Sequence, residues 1–177
     1  MTEINEPTLL ARLTELEDEK KVRACMNRYM RLCDALDVGF DLDLLMELFT
    51  TDATWQGKGG RYAKTFGRHV GKEAVRALFS KYTKAPGHFE LNVHFLTSEV
   101  INVTGSNAQG KWILLQTSSF KDGRSQLSSA QITAEFRKEA GGSWRINFFQ
   151  TESLFNRPVS TPWDQPADLP VPDKPKA

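Results

Sequence analysis

Of the three histidines, His94 alone lies inside a run of alternating polarity, "LNVHFLTSEVINV"; His69 and His88 fall in loop-like stretches. Alternation sets His94 on one strand face with Asn92 and Leu96, and Val93, Phe95 and Thr97 on the other. An imidazole so placed serves as a hydrogen-bonded core residue or as a general acid and base, and the pattern alone does not choose. Carboxylates that could meet it come from "YMRLCDALDVGFD", residues 29–41. On a wheel of about 100° per residue with Tyr29 at zero, Val22, Cys25, Met26, Cys33 and Leu36 fall within about 60°. Asp34 lies at about 140°, with Arg23, Asn27 and Arg31, whereas Asp37 lies at about 80°, at the shoulder of the apolar stripe. Asp37 is therefore the expected inward carboxylate. Beside His94 it would orient the ring and stabilise its protonated form. His94 would then take a proton from a substrate or deliver one to a leaving hydroxyl. A competing reading has Asp37 capping a helix end near Gly39, and periodicity leaves both open.

Other chemistries find little support. There is no HExxH and no CxxC, and the histidines lack the spacing of a zinc site, so no metal and no cofactor are expected. "GKGGRYAK" lacks the closing Gly-Lys-Ser/Thr of a phosphate loop, and "SSFKDGRS" is not a nucleophile elbow. A net charge of +1 gives no electrostatic case for nucleic acid or an anionic membrane. No apolar run approaches a membrane span, and the N-terminal stretch is too acidic for a signal peptide. Cys25 and Cys33 lie more than two helical turns apart, too far to bridge, and read as buried thiols of a cytoplasmic protein.

The elements that must position these groups follow from periodicity. Residues 8–37 read as one long helix with a break near Asp18, and "DLDLLMELFT" as a short second one. "DATWQG" reads as a strand, a Gly-rich basic loop follows, and "KEAVRALFSKY" reads as a third helix. Four strand-like runs come next, separated by Gly-Ser-Asn, Asp-Gly and Gly-Gly turns, which predicts an antiparallel meander. Helices followed by such a meander define an α+β class. One domain over residues 1–155 is expected. The remaining 156–177, with six of the eight prolines, reads as a tail that joins neither sheet nor helix.

"LDVGFDLDLLMELFTTDATW", "GRHVGKEAVRALF", "VHFLTSEVINVTGSNAQGKW" and "EFRKEAGGSWRI" occur in an order that resembles the SnoaL-like branch of the NTF2-like superfamily. The resemblance spans roughly residues 20–155. It implies a cone of three N-terminal helices packed on a strongly curved antiparallel sheet around an interior pocket. Scytalone dehydratase, dehydrochlorinase, bile-acid dehydratase and polyketide cyclase relatives share the branch, several with an Asp–His dyad. By that resemblance the dyad falls on Asp37 and His94, with Asp34 the alternative carboxylate. Tyr29 matches a substrate-polarising tyrosine, Trp55 the aromatic of the first strand, and Gln131 or Thr133 a polar pocket residue. The implied activity is a cofactor-independent lyase, a dehydratase or related elimination, or a C–C lyase on an aromatic diol. Its substrate would be small and hydrophobic or aromatic, and the protein a homo-oligomer (dimer or trimer). The alternative within the same fold is a ligand-binding module or a small structural subunit of an oxygenase-type complex.

Overall fold

The apolar stripe around Tyr29 becomes the buried side of helix α1 (Glu6–Asp34), where Val22, Met26, Tyr29, Met30 and Cys33 are all enclosed. The computed structural model describes residues 6–163. Helix α1 runs unbroken through Asp18, contrary to the expected break. The Asp18 carboxylate is bonded to Lys138 Nζ at 2.8 Å and Trp144 Nε1 at 3.0 Å, so it does not compete for its own backbone. The helix ends at Asp34, three residues before the predicted end. Ala35 N still donates to Arg31 O, but the chain then turns, with Phe40 N donating to Asp37 O and Gly39 at φ +81°.

Four α-helices and six strands follow one another along the described chain, with helices and strands interspersed in its first half. After α2 (Leu42–Met46) come β1 (Phe49–Lys58), α3 (Gly59–Phe66), β2 (Arg68–Val70) and α4 (Lys72–Phe79), which continues into a 3-10 turn. The meander follows as β3 (Phe89–Thr104), β4 (Asn107–Phe120), β5 (Ser125–Lys138) and β6 (Trp144–Val159). The α+β class stands, but the expected cone of three N-terminal helices on a strongly curved antiparallel sheet does not. The strands form one open sheet in the order β2-β1-β6-β5-β4-β3, whose edges β2 and β3 do not meet. It is mixed rather than antiparallel, because β1 pairs in parallel with β6. Helices α3 and α4 lie between strands rather than ahead of them all. Period-two patterning identifies strands but says nothing of their neighbours, and a strand contributed from the first third of the chain reversed the expectation.

Strand β6 also passes the predicted domain limit, pairing with β5 out to Val159 opposite Ser125. Pro158 is tolerated there because β1 leaves β6 after Glu152, so no second neighbour needs the missing N–H. Trp163 then folds onto its own chain, its backbone N donating to Ser119 Oγ and its indole to Gln126 O. The rest of the Pro-rich segment, 164–177, lies outside the described residues. The core sits between α1, α4 and the inner sheet face, where Phe49, Trp112, Ile132, Phe136 and Ile146 are fully buried.

Candidate active site

His94 stands on the inner face of edge strand β3, opposite Gln116 of β4. Its Nδ1 donates to Asp34 Oδ1 at 2.5 Å, and its backbone N donates to the same oxygen at 3.0 Å. The structure thus sets Asp34, not Asp37, against His94. Both side chains are mostly enclosed, at 13% exposure for His94 and 26% for Asp34. Asp37 is exposed and past the helix end, and its Oδ1 accepts from Val38 N at 2.8 Å. The helical wheel failed for two reasons. It extended α1 through Asp37, and it took the Arg23–Asp34 side for solvent, where β3 runs alongside.

That flank is pinned at two points. Arg23 Nε bonds Glu99 Oε1 at 2.5 Å, and Asp34 bonds His94. Arg23 to Asp34 is eleven residues of helix, about 16 Å; Glu99 to His94 is five residues of strand, about 16 Å. Helix and strand run antiparallel in matched register. Glu99 reaches Arg23 because a bulge between Thr97 and Val100, with Ser98 at φ +52°, reshapes the strand.

The same bulge determines what faces His94. Counting back from the β3–β4 turn, Thr104 pairs with Asn107 and Ile101 with Gly110, which would put Thr117 opposite His94. The shift of one residue brings Gln116 there instead. Gln116 Nε2 donates to Asn92 Oδ1 at 2.7 Å and to Ser118 Oγ at 3.2 Å, while Ser118 donates to Asn92 Oδ1. No spacing rule applied to a bulged hairpin would have found Gln116.

His94, Asn92 and Gln116 form the polar end of a cavity of about 140 Å³ between α1, α4 and the sheet. Its other walls are mostly aromatic and aliphatic, with Trp55 stacked on Phe149 at 5.5 Å between centroids and 16° between planes. Trp55 Nε1 donates to Tyr29 Oη at 2.9 Å, so both of these expected site residues line the cavity and hold each other. Burial pushes the Tyr29 hydroxyl well above its ordinary range, which keeps it a neutral donor. Cys33 also lines the cavity, and burial pushes its thiol up to about 12. It is therefore no nucleophile. Gln131 and Thr133 do not line the cavity: Gln131 is exposed on the outer face, Thr133 shares that face, and Ile132 between them points in. A one-residue error in strand alignment flips the face, and that is what separates Ile132 from its neighbours. Tyr62 and Phe66 of α3 complete the wall over Trp55. Gly57 allows that approach, since a Cβ there would lie 2.2 Å from Tyr62 O.

His69 Nε2 bonds Phe66 O, and His88 is packed by Tyr82, Phe89 and Phe120, its pKa lowered by burial. Among the described residues no three His, Cys, Asp or Glu side chains gather as a metal site, and no helix is long and apolar enough to cross a membrane.

Helices packed on one face of an open mixed sheet, with an Asp–His pair at a cavity between them, define an NTF2-like fold. Solved structures agree. An NTF2-like protein with a cystatin-like fold from Novosphingobium aromaticivorans is similar at 21% identity and a TM-score of 0.66, covering 86% of this chain and 92% of its own. A type 2 hexachlorocyclohexane dehydrochlorinase matches at 17% identity and a TM-score of 0.66, over 85% of this chain and 98% of its own. The type 3 enzyme of Novosphingobium barchaimii matches at 16% and 0.64, over 84% and 98%. At such identities the likeness is one of fold. Residues 14–150 match the model of the SnoaL-like domain, and the chain belongs to that family. A comparison with curated protein sequences finds no match.

Proposed function

We propose that the protein is a cofactor-independent lyase that removes a proton and a leaving group from a small hydrophobic or aromatic substrate. One observation carries this reading: His94 lines an open cavity while Asp34 occupies its Nδ1 from outside that cavity. The bond to Asp34 fixes the tautomer with the proton on Nδ1 and leaves the Nε2 lone pair for the substrate. His94 takes the proton and Asp34 balances the imidazolium that forms; a departing hydroxyl receives that proton and leaves as water, whereas chloride leaves as the anion and the imidazolium gives its proton to solvent. The Tyr29 hydroxyl accepts from Trp55 and is hydrogen-bonded to Cys33, so it polarises a substrate oxygen by turning its proton from that thiol, and Trp55 packs against the ring. Dehydration, elimination of chloride as in the dehydrochlorinases of like fold, and C–C cleavage of an aromatic diol all begin with such a proton transfer. A structural subunit would be expected to fill this cavity with apolar side chains; an open cavity with an imidazole in its wall supports the enzyme.

The reading extends to a cytoplasmic homo-oligomer. Phe95, Leu115 and Phe155 stand exposed in one cross-strand row on the outer sheet face, and Leu9, Leu13 and Leu16 on the outer half of α1. The test of function is kinetic. With a turned-over substrate, His94→Ala and Asp34→Asn should each lower kcat by about 10²–10⁴-fold in a folded protein. Near-wild-type turnover in both sinks the proposal.

A further inference from the structure

The cavity's walls specify what enters it more narrowly than "small and hydrophobic". Among the described residues none of the lining side chains is Lys, Arg, Asp or Glu, so a charged ligand would shed its water with no opposite charge to meet it. The one basic group, His94, already has a carboxylate against it in Asp34. At about 140 Å³ the space resembles the roughly 150 Å³ engineered cavity that holds one benzene ring. The aromatic walls favour a flat ring, with Trp55 and Phe149 already stacked face to face beside it.

The polar end adds a directional demand. Asn92 and Ser118 take both hydrogens of the Gln116 amide, at 2.7 and 3.2 Å, and so fix which way it points. Its Oε1 is the atom left for the cavity, a pure acceptor on the strand position directly opposite His94. Residues paired this way have Cβ atoms about 5 Å apart, so one ligand group can touch both side chains. A hydroxyl suits that pair: its proton goes to Gln116 Oε1, and its oxygen or the adjacent carbon lies by His94 Nε2.

We infer that the site takes a neutral, single-ring molecule bearing a hydroxyl, and that Gln116 selects for that hydroxyl. The inference rests on the acid–base reading of the same site, but binding can be measured without turnover. The experiment is an NMR titration of the full chain, following the Trp55 indole and His94 side-chain signals. The probes are phenol, cyclohexanol, toluene and benzoate. An apolar cavity of this size prefers toluene, because phenol must give up water for nothing. Here phenol should bind about 5–10-fold tighter than toluene, the worth of one directed hydrogen bond. Cyclohexanol should also bind, and benzoate should produce no shift at the concentrations that saturate with phenol. Gln116→Leu should remove the preference for phenol and turn it toward toluene. Toluene binding as well as phenol to the wild type overturns the inference, as does benzoate binding as tightly, or a phenol preference that survives in Gln116→Leu. If the probes bind as expected while His94→Ala leaves turnover intact, the ligand class stands and the lyase reading falls. If they fail while the dyad variants lose turnover, the reverse holds.

Discussion

Replacing Glu99 should cost more than the surface position of its ion pair suggests. Glu99 holds two partners at the β3 bulge: Arg23, through Oε1, and the indole of Trp112, through Oε2 at 2.9 Å. The Arg23 pair is partly solvated, at 39% and 29% exposure, and Glu19 gives Arg23 a second acceptor. Such a pair contributes about 0.2–1 kcal/mol. Trp112 is another matter. Its ring lies over Gly110, where a Cβ would approach it to 2.0 Å, and it is among the most deeply buried side chains. Stranding its N–H costs about 1–3 kcal/mol. Arg23→Ala should therefore destabilise by under about 1 kcal/mol, Glu99→Ala by about 1–3, and Glu99→Gln, which keeps an acceptor, by an amount near that for Arg23→Ala. Urea unfolding followed by circular dichroism measures all three. Because the bulge determines which β4 residue opposes His94, Glu99→Ala should also shift the His94 and Gln116 side-chain resonances. If Glu99→Ala proves no more costly than Arg23→Ala, or leaves those resonances in place, the bulge is not what Glu99 holds.

Asp37→Asn should leave turnover within about twofold of wild type, since Asp37 is exposed and bonded locally; measured beside Asp34→Asn it separates the two carboxylates. Cys25 and Cys33, both pushed up to about 12 by burial, should resist a disulfide thiol reagent at pH 8 in the native protein and react only in denaturant. Burial acts to raise the Asp18 carboxyl, but bonds from Lys138 and Trp144 outweigh it and hold the group below its ordinary 3.8. Its contribution to stability is therefore present above about pH 4 and lost as pH falls through the lower folded value. Asp18→Asn should destabilise by about 2–4 kcal/mol at neutral pH, and the gap to wild type should narrow on acidification, as read by denaturant midpoints at several pH values.

Local signals carried most of the elements but not all, since the loop expected over residues 57–71 holds helix α3 and strand β2, and they missed the elements' company. The α1 stripe, the turns at Gly105, Gly123 and Gly142, and the sharing of one strand face by Asn92 and His94 all follow from periods and turn residues, and the structure has them. The partner of His94 did not follow. Asp34 looked solvated because the side of a helix that an edge strand covers has the same composition as one facing water, when the strand supplies Glu and His rather than apolar side chains. Gln131 and Thr133 miss the cavity by one residue on either side of Ile132, and Gln116 enters it through a bulge that only three-dimensional pairing reveals. The parallel seam between β1 and β6 has no local signature at all.

That seam has a consequence for the order in which the molecule assembles. The β3–β6 meander closes through neighbouring hairpins, whose short loops carry little entropic cost. Strand β1 must wait for β6, synthesised some ninety residues later, before Thr54, Trp55 and Gln56 find Phe148, Phe149 and Gln150. The stacked wall of Trp55 on Phe149 therefore forms late, and the cavity stays open on that side until it does. During synthesis, the apolar faces of α1 and α4 are made before the β3–β6 meander that covers them.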